Sequence, residues 1–201
     1  MTEARPIRPD TDPRPPDHRR RRSILILVLT AAVALLVDAG TKQWALSGLV
    51  PGEPVRLLGG LIWLSVIRNS GAAWSVGSDH TWVFPIITLA VVAWIGWMAG
   101  RLRSVPWAIS LGLVLGGALG NFADRIFRAP GVFLGHVVDM ISVFGPYGQH
   151  FPVFNLADSS LFCGVVLAVL LELTGHRRDG SRTRPAGAEA TGAGTAGGER
   201  A

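Results

Sequence analysis

The sequence predicts an all-α polytopic membrane protein with four transmembrane helices and a small β element between helices 1 and 2. Two bulk properties support this class: 49% of the 201 residues are hydrophobic and only 16% are charged, and the mean hydropathy is +0.37. A soluble domain of this size usually carries more charge. The third observation is a set of four apolar runs, each close to the roughly 20 residues that a helix needs to cross a bilayer. We place these spans at residues 23–43, 82–100, 104–123 and 154–174.

Charge placement and cysteine content argue against several other classes. The sequence pI of about 10.9 would suit nucleic-acid binding, but the basic residues form blocks beside the apolar runs, without a basic surface interleaved with aromatic residues. The single cysteine, Cys163, excludes an intrachain disulfide, and no cysteine or histidine cluster has the spacing of metal ligands. We therefore expect no metal, no cofactor and no nucleic-acid partner.

The two ends of the chain have too few apolar residues to pack. We expect residues 1–18 and 179–201 to be disordered tails and residues 19–178 to form the membrane domain. Arg19 to Arg22 precede the first apolar run, an arrangement that also fits a secretory signal peptide. Ala39 and Gly40 do not make a convincing cleavage site, and three more spans follow. This favours an uncleaved first helix.

Asp38 and Lys42 lie near the end of the first span. Because they are four residues apart, they share one helix face and can pair with each other. The pair is either an interfacial salt bridge that fixes the depth of the helix or a group that orients a functional site. Lys42 is the only lysine in the chain.

Residues 50–81 predict a small sheet outside the bilayer. The turn signals Pro51-Gly52 and Gly59-Gly60 surround runs rich in β-branched and aromatic residues. The motif Asn69-Ser-Gly-Ala-Ala-Trp74 follows, in which small residues permit close backbone approach and Asn69 offers both donors and an acceptor. Alone, this motif also fits a turn with a core tryptophan.

The third span ends with Gly116-Gly-Ala-Leu-Gly-Asn121-Phe-Ala-Asp124-Arg125. Its glycines permit close helix packing, and Asn121 and Asp124 share one face. The neighbouring Arg125 should keep Asp124 ionised, which suits a structural or substrate-orienting salt bridge.

The fourth span opens with a similar motif, Asn155-Leu-Ala-Asp158. Taken singly, it has a structural explanation, since Asn155 can cap the helix and Asp158 is favourable in the first turn.

Asp139 lies in the apolar stretch Val137-Val-Asp-Met-Ile141, which should raise its pKa. An acid at the edge of a membrane span is costly and usually functional. Two carboxylates that converge from separate elements can share one proton and activate a water. Spacing alone permits either Asp139 or Asp124 as the partner of Asp158.

The distribution of basic residues predicts the topology. Seven lie in residues 1–22, two at 101 and 103 and five after 175, against three in 38–81 and two in 125–152. The positive-inside rule then puts both termini in the cytoplasm. The polar residues of the motifs fall near the outer surface of the membrane.

Together the motifs resemble those of bacterial lipoprotein signal peptidase (signal peptidase II), a family of four-helix membrane aspartyl peptidases, over roughly residues 24–174. The resemblance implies that Asp139 and Asp158 form a catalytic dyad. It implies a substrate-binding or supporting role for the remaining motif residues: Asn69, Asn121, Asp124, Arg125, Asn155, Asp38 and Lys42. The connector from Asp124 to Asp139 is longer than is usual in the family.

The same resemblance implies a substrate, a reaction and a location. The substrate would be a prolipoprotein whose cysteine carries a diacylglyceryl group, cut before that cysteine by an activated water. The enzyme would be a monomer in the bacterial cell membrane, in contact with its lipids, with the active site near the outer face and an extracytoplasmic cradle of strands in residues 50–80.

Two other classes deserve comparison. A transporter also carries intramembrane Asp and Asn residues, but its carboxylates should lie near the midplane and its helices should be broken by Pro or Gly. A membrane scaffold would explain the small-residue packing but not two matched Asn-x-x-Asp motifs. The sequence favours the peptidase.

Overall fold

A computed structural model describes residues 18–71, 80 and 82–183. Within them the chain forms four α-helices and three strands, in the order α1 (His18–Gly48), β1 (Val55–Leu57), β2 (Ile62–Asn69), α2 (Val83–Ala99), α3 (Val105–Phe127), β3 (Val137–Val143) and α4 (Leu156–Leu173). The predicted mostly helical class is confirmed. Most of the predicted N-terminal tail, the end of the Asn69–Trp74 motif and residues 184–201 lie outside the described residues.

The helices have the length and surface of a membrane protein. In the described part of the chain, α1, α3 and α4 are long and apolar enough to cross a membrane, and α2 is an apolar helix of 17 residues. Large apolar side chains such as Leu36 and Leu173 face outward (70% and 78% exposed), whereas Asp38 and Lys42 are 1% exposed. This arrangement, with apolar side chains on the outside and polar side chains inside, is the one that a lipid environment stabilises. The chain is an integral membrane protein.

Helix α3 is the centre of the bundle, and α1 and α4 pack closely against it. Glycine makes this approach possible. A Cβ added at Gly116 would lie 2.6 Å from the carbonyl oxygen of Ala31 in α1, and one added at Gly117 would collide with the carbonyl oxygen of Ala157 in α4. The predicted role of these glycines in close helix packing is confirmed.

The three strands form one antiparallel sheet in the order β1-β2-β3. As predicted, β1 and β2 lie between the first two helices. The third strand comes from the connector between α3 and α4, which the sequence analysis did not interpret as a strand. In the β2–β3 pairing Asp139 lies opposite Ile67, with a register shift between Leu64 and Ile67. Asp139 is therefore fixed on a strand rather than on a loop.

Both ends of the folded region extend beyond the predicted boundaries. Helix α1 begins at His18, within the predicted tail. After α4 the chain folds back as a hairpin, in which the N–H of Thr183 donates to the carbonyl of Gly175 (2.9 Å). The carbonyl of Arg178 in this hairpin accepts the N–H groups of Arg103 and Ser104 before α3 (2.8 and 3.1 Å). Residues 179–183, which the sequence predicted as the start of a tail, close this hairpin.

Candidate active site

The first turn of α4 brings Asn155 and Asp158 together in a capping box. The side chain of Asn155 accepts the N–H of Asp158 (2.9 Å), and Asp158 accepts the N–H of Asn155 (3.1 Å). The predicted capping role of Asn155 is confirmed, and its amide does more than cap. Its Nδ2 donates to Asp139 (2.6 Å) and to Asn121 (3.1 Å). One residue therefore contacts both of the aspartates predicted as a dyad.

Asp139 is buried (3% exposed) in the middle of β3. Its two oxygens accept hydrogen bonds from Asn155 on one side and from Asn69 at the end of β2 on the other (2.9 Å to Asn69). Burial raises the pKa of Asp139 to about 7, and the nearby Asp158 charge adds to this, while the two amide donors and Lys42 oppose it. The expectation of a raised pKa is confirmed, and its main cause is desolvation.

Asp158 reaches the same place from α4. The Nδ2 of Asn121 in α3 donates to its Oδ1 (2.7 Å). Asp158 and Asp139 both line a cavity of about 890 Å³ bounded by α2, α3, α4 and the chain before α4. Most of its other walls are apolar, including Phe84, Ile87, Val91, Val114, Phe154 and Phe162. Two carboxylates thus face one mostly apolar cavity.

Lys42 lies beneath this pair, in a cluster of polar side chains from α1 and α3. It forms the predicted ion pair with Asp38 (2.8 Å) and a second one with Asp124 (2.9 Å), and it donates to Asn121 Oδ1 (3.0 Å). Asp38 in turn accepts the N–H of Ala157 in the first turn of α4 (2.9 Å). An interfacial salt bridge that only sets helix depth does not describe this pair, because both side chains are buried and contact other helices.

The cation partners of Asp124 differ from the predicted one. Asp124 pairs with Lys42 and with Arg128, not with its neighbour Arg125. Adjacent residues on a helix point in different directions, whereas residues four apart share a face. Arg128 is thus a residue of this region that the sequence analysis missed, although its spacing from Asp124 was visible. The Asp124 oxygen that pairs with Lys42 also accepts the N–H of Val138, the residue before Asp139 (3.1 Å).

Arg125 instead binds the chain that follows β2. Its guanidinium donates to the carbonyls of Ser70 (3.3 Å) and Gly71 (2.8 Å) and lies over the ring of Phe84 in α2 (4.5 Å). It lines the same cavity as the two aspartates. Arg125 therefore anchors the segment that carries Asn69 to the centre of the bundle.

The structure brings all nine predicted site residues to one end of the bundle. Among the described residues, no group of three or more His, Cys, Asp or Glu side chains is arranged to hold a metal ion. The arrangement can bind an uncharged peptide backbone through amide and guanidinium donors, and it can give and take protons through two carboxylates.

The chain is similar to characterised families and structures over most of its length. Residues 30–174 match the family profile described as signal peptidase (SPase) II. A lipoprotein signal peptidase of Rhodococcus jostii is 46% identical over 170 residues, which cover 85% of this chain and 82% of the relative. One of Streptomyces coelicolor is 44% identical over 183 residues, with 87% of each chain covered.

Solved structures agree with these sequence matches. A bacterial membrane enzyme determined by the in meso method at 2.3 Å resolution is 31% identical, with a TM-score of 0.64 over 76% of this chain and 88% of its own. A second, at 1.9 Å resolution, is also 31% identical, with a TM-score of 0.62 over 76% of this chain and 93% of its own. Profile, relatives and fold together show that this chain belongs to the signal peptidase II family of aspartic peptidases.

Proposed function

We propose that this enzyme removes the signal peptide from prolipoproteins by cleaving the peptide bond before a cysteine that carries a diacylglyceryl group. Family membership supports prolipoproteins as the substrate class. The main observation in support of the reaction is that Asp139 and Asp158 line the same mostly apolar cavity and that Asn155 is hydrogen-bonded to both.

The two carboxylates act as one acid and one base. Two nearby carboxylates in an apolar pocket do not both ionise cheaply, so the pair holds a single proton over a wide pH range. Because burial raises the pKa of Asp139 to about 7, Asp139 is the member that carries this proton below about pH 7. Asp158 is then the base.

The reaction needs no covalent enzyme intermediate. Asp158 takes a proton from a water as its oxygen bonds to the scissile carbonyl carbon, and Asp139 gives its proton to the carbonyl oxygen. The resulting diol collapses as Asp158 protonates the cysteine nitrogen and the C–N bond breaks. Asp139 takes back a proton from the diol hydroxyl when the new carboxylic acid forms, which returns the pair to its starting state.

The cavity suits a substrate that arrives through the membrane. Its wall includes Ile87 on α2 and Phe162 and Val165 on α4, whose side chains are largely exposed (54%, 71% and 51%). A lipidated peptide can thus enter sideways between α2 and α4, with its acyl chains in contact with apolar side chains. Asn69, Asn121, Asn155 and Arg125 supply polar groups to hold the peptide and the dyad, while Asp38, Lys42 and Asp124 support them from below.

We place the enzyme in the cytoplasmic membrane of a bacterium, with α2 as a fourth span and both termini inside. A 17-residue helix is about 26 Å long, close to the hydrocarbon thickness of roughly 30 Å. The dyad then lies near the outer face, where lipid-modified prolipoproteins expose the bond to be cut. We propose that the enzyme acts as a monomer, because a single chain contains every residue assigned to the active site.

The test is incubation of the purified protein with a diacylglyceryl-modified prolipoprotein, with the unmodified precursor as the matched control. Mass spectrometry should show a free signal peptide and a mature protein that begins with the lipidated cysteine, from the modified precursor alone. Cleavage at another bond, or equal cleavage of both precursors, would contradict the proposal.

A further inference from the structure

The buried ammonium of Lys42 contacts three oxygens from two helices. Asp38, Asp124 and Asn121 each place one oxygen within 3.0 Å of its Nζ. The contact with Asn121 Oδ1 is a hydrogen bond, and the contacts with the Asp38 and Asp124 oxygens are ion pairs. Lys42 is 1% exposed, so water does not compete for these contacts.

Each of the three contacts leads to one of the two aspartates. The second oxygen of Asp38 accepts the N–H of Ala157, the residue before Asp158. The amide nitrogen of Asn121 donates to Asp158 itself. The oxygen of Asp124 that pairs with Lys42 also accepts the N–H of Val138, the residue before Asp139. One ammonium is thus linked, through one intermediate side chain each time, to both α4 and β3.

The contact with Asn121 also decides which way its amide points. Lys42 and Asn155 both donate to Asn121 Oδ1 (3.0 and 3.1 Å), which leaves Nδ2 to face Asp158. The reversed amide would put an NH₂ group against the ammonium and an oxygen against the Asp158 carboxylate. Both contacts would be repulsive, so the ammonium fixes the donor toward Asp158.

An arginine would not reproduce this arrangement. The three oxygens converge on one atom, which suits the compact ammonium of lysine, whereas guanidinium is planar and spreads its donors over a wider fork.

We propose that Lys42 is a positioning residue that sets the geometry of both aspartates at once, through Asp38, Asn121 and Asp124. This inference rests on the proposed function and goes beyond it, because it assigns to one residue the relative placement of the dyad. A residue that only balanced buried charge would be replaceable by arginine. A positioning residue of this kind is not.

The test compares Lys42→Arg, which keeps the charge, with Lys42→Met, which removes the charge and keeps a side chain of similar length. Both variants should lower kcat about 10- to 100-fold through misplacement of the dyad, while KM for the lipidated precursor stays within about threefold. Arg101→Met is the matched control, since Arg101 lies over the ring of Trp97 between α2 and α3, at the other end of the bundle from Lys42. It should leave kcat within about threefold, since it removes a cation far from Asp38, Asn121 and Asp124.

A second readout does not depend on turnover. The charged groups that act on Asp139 are Lys42 on α1, Arg125 on α3 and Asp158 on α4. The midpoint of the Asp139 carboxyl titration, followed by infrared spectroscopy, should therefore move to higher pH in Lys42→Met, because the cation that favours the ionised form is gone. It should move little in Lys42→Arg.

These outcomes separate the inference from its alternatives. Near-normal kcat in folded Lys42→Arg would overturn it. So would a fall of kcat in Lys42→Arg that comes with a shift of the Asp139 titration as large as in Lys42→Met, because loss of charge alone would then explain both. If Lys42→Met fails to fold, the Arg variant alone decides. If the wild-type enzyme did not cleave the lipidated precursor, the proposed function would fail, and the infrared titration would still decide whether Lys42 acts on Asp139.

Discussion

Asn69→Ala should move the alkaline limb of the activity profile to higher pH. The Nδ2 of Asn69 donates to Asp139 Oδ2 at 2.9 Å, and this bond favours the ionised carboxylate, as its lowering effect on the pKa of Asp139 indicates. In the proposed mechanism, the wild-type dyad loses its shared proton as the pH rises through the Asp139 pKa of about 7. Because the acid is needed for turnover, kcat/KM should fall above that pH.

The size of the shift follows from the strength of the lost bond. A hydrogen bond to a charged group is worth about 1.5 to 3 kcal/mol, and one pKa unit corresponds to about 1.4 kcal/mol. Part of this is recovered when water replaces the amide, so the lower figure applies and the limb should rise by about 1 pH unit. The sign is fixed: loss of a donor to the charged form raises the pKa of an acid.

The assay is kcat/KM for a diacylglyceryl-modified peptide between about pH 5 and 9, the range in which the free enzyme's essential groups are expected to titrate. Thr41→Val is the control, because the Thr41 hydroxyl donates to the carbonyls of Val37 and Asp38 in its own helix and should leave the limb in place. A limb that stays near pH 7 or moves down in Asn69→Ala would refute the reasoning. So would a wild-type profile that rises through pH 7, since it would mean that ionised Asp139 is the active form.

Two further predictions concern the ends and the topology of the chain. Reporter fusions at residues 10, 75, 102, 140 and 185 should read inside, outside, inside, outside and inside, as the positive-inside rule requires; a cytoplasmic signal at 140 would contradict the placement of the dyad. A chain that ends at residue 183 should keep the stability of the full-length protein, whereas one that ends at residue 178 should lose about 1 kcal/mol through the missing hairpin bonds, as measured by thermal unfolding in detergent. Both truncated enzymes should cleave at the wild-type rate per folded molecule, because the hairpin follows the end of α4 opposite to Asp158. A slower rate in the chain that ends at residue 183 would show that residues after 183 take part in catalysis.

Hydropathy and capping rules predicted most of the helical fold. The spans at 82–100 and 104–123 agree with α2 and α3 to within a few residues, because apolar length and Pro or Gly boundaries are local properties of the sequence. Helix α1 is longer than its predicted span of 23–43, since helical structure continues through the flanking arginines. Such residues are compatible with a helix without being apolar, so a hydropathy criterion underestimates the length of the helix.

Strand β3 was within reach of sequence analysis but was not found. Val137-Val-Asp-Met-Ile-Ser-Val143 is rich in β-branched residues, the signal used successfully for β2. What the sequence could not show is that this segment pairs with β2, more than 60 residues earlier. That pairing is what brings Asn69 to Asp139.

The site residues were predicted individually, but their contacts were not. The spacing of Asp38 and Lys42 on one helix predicted their ion pair, which is local. The contacts of Lys42 with Asn121 and Asp124 depend on how α1 packs against α3, and no spacing along the chain encodes that register. The pairing of Arg125 with Asp124 was predicted from adjacency, and it failed because adjacent helical residues diverge.

The most direct test of the central claim compares three single variants, Asp139→Asn, Asp158→Asn and Asp124→Asn, with the Asp139/Asp158 double variant. Cleavage of the lipidated precursor should fall by about a thousandfold or more in each dyad variant and hardly further in the double one, because the two residues act as a unit. Binding of the precursor should persist in the two dyad variants and in the double variant. Asp124→Asn should mainly lower stability or affinity, because Asp124 pairs with Lys42 and Arg128. Near-normal turnover in Asp139→Asn together with loss of turnover in folded Asp124→Asn would contradict the account and assign the dyad to Asp124 and Asp158.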